Sequence, residues 1–544
     1  MSIWSRFVYR SVSGLFQEMS RGRSRRGASF NETETRYMRG RPVIMSLVLL
    51  ARCLTLQTCA AVQQTPSTAG RGFGAVPTSK KEKAVSKVQD GLNTAGTTNA
   101  AFEEWAKKSG IEKFEPMEIH EFPDTGRGVR ATTEIVPSAR IVKVPSRLAL
   151  QVNSLTKSPA WCDEACWKAA KWDARLAMML LREEQDARSD LKPWLAQLPR
   201  SFNTPVLWSD SAAAFGVVSY PALSAAVAAQ RAEWDAARAK APGAPSKEKW
   251  DWAMNVARSR AFSGPYTPST FVGSLSTLFG ASTLALVYAL VVGGAGAADQ
   301  AFDGFLAAVV FILCNDFLIG PRFSSAKRHV LCPWIDLLNH DGNLGKSEIA
   351  YEYFSDAFAA RLDPDGGAVA AGSEVLISYG PRTNDVLLQY YGFVQPNNPF
   401  DIFAVQQEML ILDLNAHRTL SAEALPALAK AGLTDPTAFH ALSADGAGES
   451  ASRLARLVLH PAAASQADEG KQPLSPTAEA DVHRALAAVA EARLAAMLLP
   501  EQVAAAALAE DVPRELMTAF IAEKRRVLEA SSRALRRKAL GVGA

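Results

Sequence analysis

The chain has 544 residues, 48% of them hydrophobic, with 59 Lys and Arg against 55 Asp and Glu, which is material for two domains with sizeable cores and a leader. Residues 1–100 hold 15 of the basic residues and only 5 of the acidic ones, so the net charge of +4 belongs to the N-terminal stretch and the remainder is slightly acidic. That distribution excludes a domain-wide basic footprint for nucleic acid. Six cysteines with a single C-x3-C pair, Cys162 and Cys166, argue against a four-ligand structural zinc.

In chain order, residues 1–95 read as a largely disordered targeting leader. Arg39 and Arg41 precede an apolar block, Val43–Val62, that ends in the small residues Cys59-Ala60-Ala61. A hydroxyl-rich, basic, acid-poor stretch follows, which gives the bipartite grammar of a plastid address. From Phe102 the apolar spacing predicts a short amphipathic helix, and Phe122–Pro145 predicts β structure around the turn Gly126-Arg127-Gly128. That Gly-x-Gly lacks the third glycine and the strand-to-helix setting of a dinucleotide site. Residues 155–260 carry apolar spacings of three and four, so a helical region is expected, interrupted by an extended loop at Pro193–Trp208. Cys162 and Cys166 fall one turn apart on one of these helices and are expected to pack.

Residues 263–322 are unusual. No charged residue stands between Phe262 and Asp299, and a second apolar run spans Gly304–Gly320. Two apolar helices turning at Gly293, Gly294 and Gly296 would make either a membrane hairpin or a buried one. Trp334–Asn343 then brings Asp336, Asn339 and His340 together. His340 has no second histidine within ligand spacing, so a metal site is not expected. In Gly372–Val394, Val375, Ile377 and Tyr379 alternate before Gly380 and Pro381, and an apolar-periodic run follows. This predicts strand, tight turn and short helix, with the hydroxyls of Tyr379 and Tyr391 able to converge on one small pocket. Residues 401–544 are rich in Ala and Leu at helical spacing.

The Gly-x-Gly turn, the segment Ser259-Arg260-Ala261-Phe262, the Asp336/Asn339/His340 segment and the Tyr379/Tyr391 segment, in that order, resemble the SET-domain protein methyltransferases. The likeness is to the branch of the plastid Rubisco large-subunit lysine methyltransferase. It implies an α+β protein with a SET-domain β-fold at 96–400, a helical insert at 155–260, and an all-helical substrate-binding domain at 401–544. It implies S-adenosylmethionine as cofactor and a protein substrate bearing the target lysine, with histidine as the alternative acceptor. By the same resemblance, Tyr379 supplies the hydroxyl beside the transferred methyl. Thr125, Gly126, Arg127, Arg260, Asp336, Asn339, His340 and Tyr391 would hold the cofactor, and Tyr379, Tyr391 and Phe393 would line the lysine channel. Thr125 stands where the plastid enzymes commonly carry an acid, so a main-chain contact is expected there. The competing reading is a SET fold kept for binding, or a membrane-anchored scaffold, without turnover.

Overall fold

The computed structural model describes residues 92–541 apart from 212–213, 216–219, 265, 267–270, 293–296, 315–326, 344–347, 416–420 and 507. The expected leader therefore lies outside the described residues up to 91. The chain divides into two compact units, one of residues 86–276 and 313–544, the other including 277–312.

In the first unit, short strands with alternate apolar residues form several small sheets. Arg140–Pro145 buries Ile141, Val142 and Val144 and lies between Glu112–Lys113 and Ala357–Arg361 in a four-stranded antiparallel sheet that Glu348–Glu352 completes. Met117–Phe122 pairs with Gly126–Ala131 as a hairpin in which Phe122 faces Gly126. Arg328–Leu331 is the centre of a third sheet, flanked by Leu150–Val152 and Phe262–Gly264. Asn339–His340 pairs in parallel with Leu376–Ile377, only two residues a side, so the strand predicted through Tyr379 is shorter than its alternation suggested.

The helical region between the β segments is present as Glu164–Ala169, Trp172–Gln185, Pro221–Arg238 and Lys247–Arg260. Two expectations need correction. Pro193–Trp208 is not wholly extended: Pro193 and Pro205 each occupy a first-turn position, where a missing N–H costs nothing, and they open the short helix Lys192–Leu195 and the 3-10 turn Pro205–Leu207. Cys162 does not share a helix with Cys166, because Asp163 caps the helix by accepting from Ala165 N and Cys166 N. Both thiols pack all the same, and burial pushes that of Cys162 up to about 11.

The C-terminal region is helical, with Pro476–Ala496 and Arg514–Ala539 packing around Leu486, Val489, Phe520 and Val527. It is not all helix: Ile402–Gln406, Phe439–Ser443 and Gly446–Ala447 form a three-stranded antiparallel sheet at its start. Alternating burial along Ile402–Gln406, with Phe403 and Val405 inward, is the period-two signal that the surrounding Ala-rich helices overshadow.

The second unit carries the apolar insert as two helices, Phe271–Val292 and Ala297–Cys314. Phe279, Leu284, Leu290, Val291, Phe302 and Phe311 are each more than 60% exposed there. Among the described residues no helix is long and apolar enough to cross a membrane.

Candidate functional site

Backbone hydrogen bonds stitch four distant segments into one place. Val375 N donates to Val129 O at 2.8 Å and Ala131 N to Ser373 O at 2.9 Å, which lays the tyrosine segment along the Gly-x-Gly hairpin. The parallel pairing of Leu376 with Asn339 and Ile377 with His340 brings in the third segment, and Asp341 N extends it by donating to Ile377 O. The fourth arrives because the Lys247–Arg260 helix stops at Ala261, whose extended backbone feeds the strand Phe262–Gly264.

Three of these segments border a cavity of about 370 Å³ whose walls include Arg260, Phe262, Tyr266, Asp336, Tyr379 and Tyr391, while Thr125, Gly126, Arg127, Asn339, His340 and Phe393 are not among its lining residues. Both tyrosines line it, with ring centroids 5.2 Å apart. Tyr379 stacks on His340 at 4.8 Å, its hydroxyl donates to Leu338 O at 2.8 Å, and its N–H donates to His340 Nδ1 at 3.0 Å. That last bond leaves the ring proton of a neutral His340 on Nε2, and burial lowers the pKa of His340, which favours the neutral form. Burial likewise raises the phenols of Tyr379 and Tyr391, so both remain protonated. Phe393 stands 6.2 Å from the Tyr391 ring and 6.3 Å from His340.

Tyr391 is the last residue of Asn384–Tyr391, a helix opened by Thr383, which accepts from Val386 N. Gly392 closes it at φ 76°, and a Cβ there would also lie 3.2 Å from the backbone carbon of Asn203. Glycine alone meets both demands.

The charged residues lie around Asp336. Its carboxyl accepts from the Trp194 indole at 2.9 Å, and its carbonyl accepts from Arg260 at 2.5 Å. Burial raises the Asp336 pKa, opposed by Arg260, Trp194 and Arg127. Trp334, two residues earlier, is fully buried at φ 69°, backbone strain held by its stacking on Phe102. Arg127 donates to Asn99 and Gln197, and burial lowers its pKa. Asp336 Oδ1 and the Nε atoms of Arg127 and Arg260 are buried without a hydrogen-bond partner among the described residues.

Thr125 and Asn339 both contact a residue absent from the predicted set. Glu374 accepts from Thr125 Oγ1 at 2.6 Å and from Asn339 Nδ2 at 2.8 Å. Its position inside the tyrosine segment was readable; its partner 249 residues away was not.

No family model matches the chain. It is 24% identical over 363 residues to an actin-histidine N-methyltransferase of Xenopus tropicalis, covering 66% of this chain and 53% of that one. It is 24% identical over 301 residues to the human SET domain-containing protein 4, covering 53% and 57%. The chain thus spans about half the length of the curated relatives it matches. Among solved structures, the SET domain of LSMT bound to lysine and AdoHcy superposes with a TM-score of 0.53 at 17% identity, covering 82% of this chain and 92% of that one. Rubisco LSMT bound to AdoMet gives 0.52, also at 17%, covering 81% and 92%. The fold is that of a SET domain. The order of segments that resembled the SET methyltransferases in sequence is the order in which the SET fold brings them together here.

Proposed function

We propose that this chain is an S-adenosylmethionine-dependent protein methyltransferase with lysine as its acceptor. The observation that carries the reading is the convergence of Arg260, Asp336 and the pair Tyr379 and Tyr391, from three separate segments, on one cavity. The relatives similar to it are named as protein methyltransferases, and the LSMT structures of the same fold hold AdoMet or AdoHcy.

The residues suit that cofactor. Its carboxylate needs a cation, and Arg260 offers a guanidinium with a buried, unpartnered Nε. The main chain of Thr125, Gly126 and Arg127 and the side chain of Asn339 offer polar groups beside Gly128, where a Cβ would meet Asn339 Nδ2 at 2.9 Å. When bound, the cofactor supplies an electrophilic methyl on a positive sulfur. The protein's own task is then to align a neutral amine and exclude water. Tyr379 commits its proton to Leu338 O, which leaves its oxygen as an acceptor at the cavity wall. As a phenol held protonated by burial it is not the base. Phe262, Tyr266 and Tyr391 provide aromatic walls that suit an alkylammonium side chain, worth about 0.5–1 kcal/mol each by cation–π attraction.

A histidine acceptor is the second reading, favoured by the actin-histidine methyltransferases among the relatives. Purified protein incubated with labelled S-adenosylmethionine and a cell extract, followed by amino-acid analysis of the labelled protein, separates the two. Methyl-lysine is expected, methyl-histidine would replace it with the second reading, and no labelled protein would remove both. Tyr379→Phe keeps the ring and removes the acceptor oxygen. Single-turnover rates are expected to fall at least about tenfold, or 1.4 kcal/mol, with cofactor affinity within a few fold. Full activity in that variant would take Tyr379 out of the mechanism.

A further inference from the structure

Glu374 is a carboxylate without a counter-charge, placed against the glycine turn. Its residue bridges Arg130 across the hairpin, but the Arg130 guanidinium turns away to Glu118. The two groups that donate to Glu374, the Thr125 hydroxyl and the Asn339 amide, are neutral, and among the described residues no Lys or Arg pairs with it. Arg127, close in sequence, sends its guanidinium to Gln197 and Asn99 and presents its carbonyl to Asn339 Nδ2 at 3.1 Å.

Space points the same way. A Cβ on Gly128 would fall 2.3 Å from Glu374 Oε1, so the carboxylate, where it stands, fills the room left by the missing side chain. The result is a carboxylate and a main-chain carbonyl gathered around one amide side chain, beside the Gly-x-Gly turn. The cation-bearing group, Arg260, belongs to the other charged cluster, at the carbonyl of Asp336. A ligand with a carboxylate and an ammonium on one carbon calls for both, a cation for the first and acceptors for the second.

We propose that Glu374, with the carbonyl oxygen of Arg127, holds the α-ammonium of S-adenosylmethionine and so does the work that Thr125 cannot. This rests on the cofactor reading above and assigns a residue to it. A bond between a full carboxylate and an ammonium in a partly buried position is stronger than one to a main-chain carbonyl alone.

The test is calorimetry with three ligands: S-adenosylmethionine, S-adenosylhomocysteine, and 5′-methylthioadenosine, which lacks the amino-acid end. Glu374→Gln keeps the shape and an acceptor oxygen and removes the charge. It is expected to bind the first two about tenfold or more weakly and methylthioadenosine within about twofold of wild type. Equal losses for all three would mean that Glu374 only braces the turn, and unchanged affinity for the first two would also overturn the assignment. Glu374→Asp, which keeps the charge and withdraws it by one methylene, guards against misfolding of the first variant. A loss confined to the two amino-acid-bearing ligands, about threefold, is expected there. Wild-type protein that binds none of the three would sink the cofactor reading itself, an outcome distinct from a wild type that binds and a Glu374→Gln that binds equally well.

Discussion

At the N-terminal end of the Asn384–Tyr391 helix, Lys524 is fully buried, and its ammonium donates to Asp385, to Asp401 at 2.8 Å and to Ile402 O at 2.7 Å. Three donors meet three acceptors, with the Phe520 and Tyr220 rings 5.1 and 5.3 Å away. At the other end, near Tyr391, Arg260 and Asp336 are also buried in part or whole, yet each keeps a polar atom without a partner. A cluster whose valences close within the protein is a structural clamp. One whose valences stay open, on the wall of a cavity, is arranged for something that arrives from outside. The same short helix therefore joins a finished charge cluster to an unfinished one.

The sharpest way to break that contrast is Lys524→Ala. It leaves the buried Asp401 and the partly buried Asp385 without a cation, and burial opposes the charge that these two carboxylates sustain on Lys524. The expected loss of unfolding free energy is about 3–5 kcal/mol, read from urea transitions. A loss under about 1 kcal/mol would mean that the clamp contributes little and that the comparison fails at its structural end.

Arg260→Ala probes the other end. Because Arg260 makes one hydrogen bond to a carbonyl and leaves Nε unspent, its removal is expected to cost less stability than that of Lys524. Affinity for S-adenosylmethionine is expected to fall by about 1.5–3 kcal/mol, the usual worth of a hydrogen bond to a charged group. A variant that folds and binds the cofactor as well as wild type would show that the open valences at Arg260 serve no carboxylate.

The two clusters were unequally legible in the sequence. Arg260, Asp336, Asn339, His340, Tyr379 and Tyr391 could be named because their segments, in that order, resemble those of the SET-domain methyltransferases, a likeness that each segment carries in a short run of residues. The SET fold then brings those segments together through backbone pairing. Lys524 offers no such signature. It lies in a long helix rich in Lys and Arg, where a charged position reads as solvated, and its partners are 139 and 123 residues away. Glu374 was hidden for the same reason, since nothing near it in sequence shows that Thr125 and Asn339 converge on its carboxylate. The small sheet at 402–447 escaped because strands of two to five residues carry too few alternations to stand out beside Ala-rich helices.

The smallest expected effect tests whether the helix between the clusters is held by its cap or by its charges. Thr383 Oγ1 accepts from Val386 N at a long 3.3 Å, while Asp401 Oδ1 accepts from Asn384 N at 2.9 Å and its Oδ2 from Asn384 Nδ2 at 3.1 Å. Asp401 thus caps the same turn that Thr383 caps, and does so as part of the Lys524 cluster. Loss of a lone N-cap costs about 1 kcal/mol, so Thr383→Ala is expected to cost that or less, with cofactor affinity unchanged because Tyr391 stays where Gly392 and the loop at Asn203 fix it. Urea transitions and calorimetry on this variant give both numbers. A loss above about 2 kcal/mol, or a parallel loss of cofactor affinity, would show that the hydroxyl rather than the buried charge cluster sets the helix in place.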